Sequence, residues 1–300
     1  MVSIEDVRAA QRRIAGHIRR TPVLQAGAQT WFKLEFAQHA GSFKTRGMVN
    51  RMLAAGRLPD AGVVAASGGN AGLAAAYAAA ELGVPAEVFV PVTAPPIKVA
   101  KLGKLGARVV QVGDEYAEAY AAAVVHAETT GALFCHAYDD PDMVAGNGTL
   151  GLELAEELDF DTALVAVGGG GLVGGVAAAL PGKRVIAVEP ETCPTLRTAM
   201  EQGGPVDVAV SGVAADSLGA RRLGLIPYRI AVEREVESLL VDDAAIVEAR
   251  RRLWDDYRLV VEHGTAAAYA ALTSGVYRPA DGERAVVLLC GANTNPADLG

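Results

Sequence analysis

An α/β architecture of two lobes, each an open and mostly parallel sheet flanked by helices, is predicted by three observations. Short apolar runs alternate with helical stretches along most of the chain, the pattern that builds parallel sheets with helices on both faces. The 300 residues are 51% hydrophobic, enough for a large core and a second lobe. Glycine or proline closes run after run, as at Gly83, Pro91 and Gly106, where the chain must leave a helix or strand.

Taken in order, Val63-Val64-Ala65-Ala66 reads as a strand. Residues 70–82 form an alanine-rich helix that Gly83 stops. Residues 87–90 form a strand ending at Pro91, and residues 97–105 a helix ending at Gly106. A strand at 108–112 precedes a helix at 114–130 and a strand at 132–136. A helix follows at 148–158. The strand at 163–167 runs straight into four glycines, and another strand lies at 185–188. Leu259-Val260-Val261 reads as a strand before a helix headed by Glu262-His263-Gly264-Thr265, and residues 284–289 form the last strand. The alternating units place a small lobe at 46–145 and a larger one at 1–45 plus 146–300. No fixed-period repeat or low-complexity linker occurs.

Composition excludes several classes of function. Net charge is −8 with no basic cluster, which leaves no positive footprint for nucleic acid. No apolar run is long enough to span a bilayer, and the acidic start Met1-Val2-Ser3-Ile4-Glu5-Asp6 is unlike a signal peptide. Cys135, Cys193 and Cys290 are odd in number and widely spaced. They read as reduced thiols in a cytoplasmic protein, not as a disulfide framework or a zinc site.

Four segments carry possible chemistry. Gly41-Ser42-Phe43-Lys44-Thr45-Arg46-Gly47 sets one lysine in a small-residue turn beside an aromatic ring. Desolvation in such a turn disfavours the ammonium, and a neutral lysine condenses with aldehydes, of which pyridoxal phosphate is the commonest cofactor. An isolated lysine beside glycine is more often exposed and inert. Ser67-Gly68-Gly69-Asn70-Ala71-Gly72 joins a strand to a helix, so its N–H groups suit a carboxylate or phosphate; the plainer reading is a capped turn. Gly168-Gly169-Gly170-Gly171-Leu172 removes every Cβ over four residues and lets several amides approach one anion. The rival is a dinucleotide fingerprint at Gly169-Gly170-Gly171-Leu172-Val173-Gly174 with Glu189 on the next strand, which leaves Lys44 without a task. Cys290 ends a strand where it can face a cleft, although a free cysteine is ordinarily a small core residue. His263 titrates near neutrality in principle but reads as structural, and His17, His39, His126 and His136 have no metal-ligand spacing.

Together these segments resemble the serine/threonine dehydratases, pyridoxal-phosphate enzymes of the tryptophan-synthase-β fold type. The matches run in the family's order over nearly the whole chain. They comprise Lys33-Leu34-Glu35 with the Lys44 segment, the Ser67 loop, the glycine loop, Val188-Glu189-Pro190, and Cys290-Gly291. The resemblance implies that Lys44 holds the cofactor as a Schiff base and then serves as general base. It implies that Phe43 packs beside the ring and that Asn70 bonds the ring's 3-oxygen. It further implies that Gly168, Gly169, Gly170, Gly171 and Leu172 bind the phosphate, and that Cys290 contacts the pyridine nitrogen. Ser67, Gly68, Gly69, Asn70 and Ala71 would hold the substrate carboxylate, and a monovalent or divalent cation would bind near Glu189 and Thr195. The larger lobe would carry the cofactor, with the active site between the lobes.

The implied reaction is loss of water from L-threonine or L-serine, giving a 2-oxo acid and ammonia, in a cytoplasmic homodimer. The small-molecule partner is a β-hydroxy amino acid. Alternatives on the same fold are a racemase-like enzyme, a cysteine-synthase-like β-replacement enzyme, and a non-catalytic binding protein. The lysine segment reads Ser-Phe-Lys and not the Ser-Val-Lys of cysteine synthases. Three positions depart from the family's usual pattern: Ala40, His263 in place of proline, and Gly68, where serine racemases carry a second serine. Gly68 has no group to carry a proton, so elimination with little racemisation is expected.

Overall fold

Ser3 accepts the Asp6 N–H and Asp6 returns the bond to the Ser3 backbone, so the first helix, α1 (Ile4–Ile14), begins at a capping box. This computed structural model describes residues 1–299. After α1 come β1 (Val23–Gln25), β2 (Thr30–Lys33) and α2 (Lys44–Ala54). Four parallel strands then alternate with helices: β3 (Val63–Ala66), α3 (Asn70–Glu81), β4 (Ala86–Val90), α4 (Pro96–Lys104), β5 (Arg108–Gln111), α5 (Tyr116–Thr130) and β6 (Leu133–Phe134). The remainder runs α6 (Pro141–Glu157), β7 (Thr162–Ala166), α7 (Gly171–Ala179), β8 (Arg184–Pro190), α8 (Thr195–Gln202), α9 (Ala215–Leu218), α10 (Leu225–Glu233), β9 (Glu237–Val241), α11 (Asp243–Tyr257), α12 (His263–Thr273) and β10 (Ala285–Leu288).

The strands form two sheets among the described residues. The smaller has the order β5-β4-β3-β6 and the larger β1-β2-β10-β7-β8-β9. Only the edge pair β1–β2 is antiparallel. Strand β7 is buried at every position, as a strand covered on both faces must be. Ala163 and Val165 point into one core with α1, α6 and α7, whereas Leu164 and Ala166 point into another with α11 and α12. This is the period-two alternation of a pleated strand. The small sheet repeats the plan. Val63 and Ala65 face Met48 and Met52 of α2 and the alanines of α3, while Val64 and Ala66 face Ala123 and Ala127 of α5.

An ion cluster ties β2 to α2 and α6. Lys33 Nζ reaches Glu153 at 2.8 Å and Glu157 at 2.6 Å, and donates to the Thr21 carbonyl at 2.7 Å. Arg46 reaches both Glu35 oxygens, at 2.7 and 2.9 Å, and Glu153 at 2.9 Å. Lys33, Glu35, Arg46 and Glu153 are buried. Their charges are matched and their donors are occupied, the condition under which buried ions are tolerated.

Several expected elements differ. Leu259-Val260-Val261 is not a strand. The Leu259 N–H goes to the Leu253 carbonyl and the Val261 carbonyl to Arg250 Nε, so the segment has side-chain and helix-end partners where a strand needs a ladder. The strand expected at 132–136 shrinks to Leu133–Phe134, because the His136 ring folds back to accept the Tyr138 and Asp139 N–H groups. The helix expected at 148–158 starts earlier, at Pro141, under an Asp140 cap. The sheet edges β1 and β9 and the helices α1, α10 and α11 had no counterpart in the sequence reading.

Candidate active site

Parallel sheets present their strand-end loops at one edge, and the predicted residues meet there. Lys44 opens α2, with Phe43 as the N-cap residue. The Phe43 N–H donates to the Cys290 carbonyl at 3.0 Å, and Ser42 bridges to Gly291. Lys44 Nζ donates to the Ala137 carbonyl at 2.5 Å and lies 5.0 Å from the Phe43 ring centroid. Burial lowers its pKa to about 8.

The glycine loop runs from the end of β7 to α7. The N–H groups of Gly168, Gly169 and Gly170 have no acceptor among the described residues, and the first turn of α7 adds further free N–H groups. Such a loop is an anion site. Gly170 has φ +88°, which a side chain resists. A Cβ on Gly169 would overlap the ring of Tyr138. Tyr138 therefore packs against the loop, and its ring centroid stands 6.0 Å from Lys44 Nζ.

Ser67-Gly68-Gly69 leads from β3 into α3. Ser67 Oγ accepts the Gly69 N–H at 3.2 Å, and a Cβ on Gly72 would collide with the Ser67 carbonyl oxygen, so the turn closes tightly. The N–H groups of Asn70 and Ala71 open α3. Asn70 Nδ2 donates to both oxygens of Glu262, at 3.0 and 2.9 Å.

Cys290 is buried, and burial pushes its thiol up to about 12. It therefore stays protonated near neutrality. Thr265 Oγ1 lies 3.4 Å from the sulfur and donates its one proton to the Gly291 carbonyl at 2.9 Å, which leaves the Cys290 S–H as donor to Thr265.

Glu189 and Thr195 sit behind the glycine loop. The Thr195 hydroxyl donates to the Gly168 carbonyl at 2.6 Å. Both Glu189 oxygens face donors, the N–H groups of Leu196 and Arg197 at 2.7 and 2.9 Å and Ser238 Oγ at 2.8 Å, with Thr195 Oγ1 3.2 Å away. Glu189 thus caps α8. No cluster of three His, Cys, Asp or Glu side chains able to hold a metal occurs among the described residues. His263 faces Arg250 at 3.5 Å, and burial together with that guanidinium lowers its pKa.

The sequence reading missed four contributors. The Ala137 carbonyl, the lysine's acceptor, has no side-chain signature. Tyr138, Glu262 and Asn293 are ordinary residues in a sequence and gain meaning only from what they touch. Asp139 accepts the Ile226 N–H at 2.9 Å in the first turn of α10, a contact between distant segments that the sequence does not mark.

The family model for pyridoxal-phosphate dependent enzymes matches residues 14–291. An L-threonine ammonia-lyase from Geobacter sulfurreducens is 37% identical, over 96% of this chain and 74% of its own. A threonine deaminase structure, from T.th., superposes with a TM-score of 0.89 at 34% identity, over 98% of this chain and 99% of that one. Maize serine racemase gives a TM-score of 0.92 at 30% identity, over 99% and 95%.

Proposed function

The chain belongs to the pyridoxal-phosphate dependent enzymes, and from that membership we propose that it is an ammonia-lyase that removes water from L-threonine and, as a second substrate, L-serine. The observation that carries this reading is a lysine whose pKa falls to about 8 beside a strand-end loop of unpaired N–H groups. Relatives named for threonine support the choice of substrate.

The residues present fit the cofactor. The free N–H groups of Gly168, Gly169 and Gly170, with the start of α7, suit a phosphate. Lys44 is partly dry, its pKa is lowered to about 8, and its neutral form can hold an aldehyde. Phe43 would flank the ring, Asn70 would meet its 3-oxygen, and the neutral Cys290 thiol would turn from Thr265 to the ring nitrogen. When bound, pyridoxal phosphate supplies an electron sink for the pair left at the substrate α-carbon.

The protein's own part is positioning and proton handling. The N-terminus of α3, with Ser67 and the N–H groups of Asn70 and Ala71, would hold the substrate carboxylate. Lys44 Nζ then takes the α-proton as general base, which its lowered pKa allows near neutral pH. With the proton that Lys44 took returned to it, the β-hydroxyl leaves as water, and the released enamine hydrolyses to ammonia and 2-oxobutanoate (pyruvate from serine). Gly68 offers no proton on the opposite face, so return of a proton to the α-carbon with inverted configuration has no donor there.

The proposal extends to a small lobe at 46–145, joined to a cofactor lobe at 1–45 and 146–300, in a cytoplasmic homodimer. Three free, buried cysteines accord with a reducing compartment. No helix among the described residues is long and apolar enough to cross a membrane. Release of 2-oxobutanoate from L-threonine by cofactor-supplemented protein tests the activity. A panel of β-hydroxy amino acids that yields no 2-oxo acid would overturn it.

A further inference from the structure

Glu262 is a buried carboxylate to which the derived reaction gives no task. It is the N-cap residue of α12, yet its side chain makes no cap bond to that helix. Both oxygens instead face Asn70 Nδ2, and Oε1 also takes the Asn293 N–H at 2.7 Å. Asn293 Nδ2 in turn donates to Asn70 Oδ1 at 2.6 Å and to the Ala40 carbonyl at 2.7 Å.

This chain of bonds has only one consistent direction. The Ala40 carbonyl can only accept, so the amino end of the Asn293 amide must face it. The same amino group faces Asn70, so Asn70 must present its oxygen there. The nitrogen of Asn70 is then left for Glu262, which as a carboxylate can only accept. A flipped Asn70 would set nitrogen against nitrogen and oxygen against carboxylate, with every misfit buried or half-buried. Ala40, a non-glycine residue at φ +55°, aims the carbonyl that anchors the sequence. Burial pushes the Glu262 carboxyl up, while the hydrogen bonds from Asn70 and Asn293 pull it back.

Resting on the function proposed above, we propose that Glu262 and Asn293 are positioning residues that act through Asn70, fixing its amide so that a nitrogen and not an oxygen is offered to the cofactor ring. An oxygen on the ring needs a donor, and Asn70 Nδ2 has two protons, one of which the carboxylate can hold while the other is offered. Reversal of the amide would turn that attraction into repulsion between two acceptors.

The test uses full-length protein loaded with pyridoxal phosphate, in wild-type, Glu262→Gln, Asn293→Ala, Asn70→Ala and Glu262→Gln/Asn70→Ala forms. The visible band of the lysine-bound cofactor is followed against pH, alongside kcat, KM and thermal melting. Each single variant is expected to shift the titration of the band and to lower kcat about 10- to 100-fold, the range seen when the partner of a ligand-holding group is removed. KM should move far less. The double variant should lose no more than Asn70→Ala alone, because residues acting through one group are not additive. An unshifted band with unchanged kcat in Glu262→Gln, or additive losses in the double variant, overturns the inference while leaving the lyase reading intact. Should Glu262→Gln not fold, Asn293→Ala decides by the same band and kcat. A wild-type protein that takes up no cofactor overturns the lyase reading itself, and this inference with it.

Discussion

The backbone N–H of Phe43 donates to the carbonyl of Cys290 at 3.0 Å. The residue that precedes Lys44 is thereby fastened to the residue that would face the ring nitrogen. Ser42 and Gly291 bridge beside them. Two loops far apart in the chain become one short antiparallel ribbon, and the spacing between the amine and the thiol is set by backbone.

Lys44→Ala should abolish the visible absorbance of cofactor-supplemented protein and cut 2-oxo acid release by at least about 10²- to 10⁴-fold, the contribution of a lost general base. In the cofactor-free state its melting temperature should not fall, because the variant removes an amine that is disfavoured by burial. A coloured, active Lys44→Ala protein would refute the assignment.

The pH at which Lys44 reacts should be displaced. With its pKa near 8 in place of the ordinary 10.5, aldehyde and borohydride labelling of the cofactor-free protein should rise with a midpoint near pH 8. Stability is linked to the same proton. Between about pH 8 and 10.5 the unfolded chain keeps a proton that the folded protein has released, so stability climbs with pH across that window. Lys44→Met should flatten the climb. Urea titrations at several pH values in the cofactor-free state would reveal whether the slope is there.

Gly169→Ala sets a methyl into the Tyr138 ring, and Gly170→Ala sets one 2.7 Å from Leu223 and Pro227 at φ +88°. Each should destabilise by roughly 1–3 kcal/mol, the range for overpacking, and should weaken cofactor retention on dialysis. Gly103, with nothing within 4 Å of an added Cβ, is the control expected to tolerate alanine with little change in retention.

Arg46→Met should cost about 3–5 kcal/mol, because it strands the buried carboxylates of Glu35 and Glu153. Chemical denaturation gives the figure. A loss below about 1 kcal/mol would mean that Lys33 alone neutralises the cluster.

Gly68→Ser should fold like the wild type, since an added Cβ there meets Val90 at 3.5 Å and Lys98 at 3.9 Å, ordinary contacts. Wild-type protein should form almost no D-amino acid from L-serine or L-threonine, and the serine variant measurably more. Chiral chromatography of the product mixture distinguishes them. Equal racemisation by both would show that position 68 does not govern the opposite face.

The legible parts of the fold were those that carry their own pattern. Residues 63–66, 88–90 and 163–166 are continuous apolar runs followed within two residues by glycine or proline, and they lie in strands. β2 escaped notice because it ends in Lys33, a charge whose burial depends on Glu153 far along the chain. Leu259-Val260-Val261 is apolar enough for a strand, but no neighbouring strand offers it partners. Lys44, the Ser67 turn and the glycine loop were readable because each needs an unusual local composition. Ala137, Glu262 and Asn293 were not, because their roles arise from hydrogen bonds between distant segments that no local pattern records.

β2 (Thr30–Lys33) pairs with β10 (Ala285–Leu288), which is made long after it. While the polypeptide is being synthesised, β2 must wait with an open edge, whereas β3 to β6 follow one another and can assemble among themselves. Long-range parallel pairing of this kind is slow. The amine and the thiol are therefore brought together only after residue 290 has been made. A nascent chain cannot capture its aldehyde in a working centre early, and premature termination before residue 285 leaves an apolar edge exposed to aggregation.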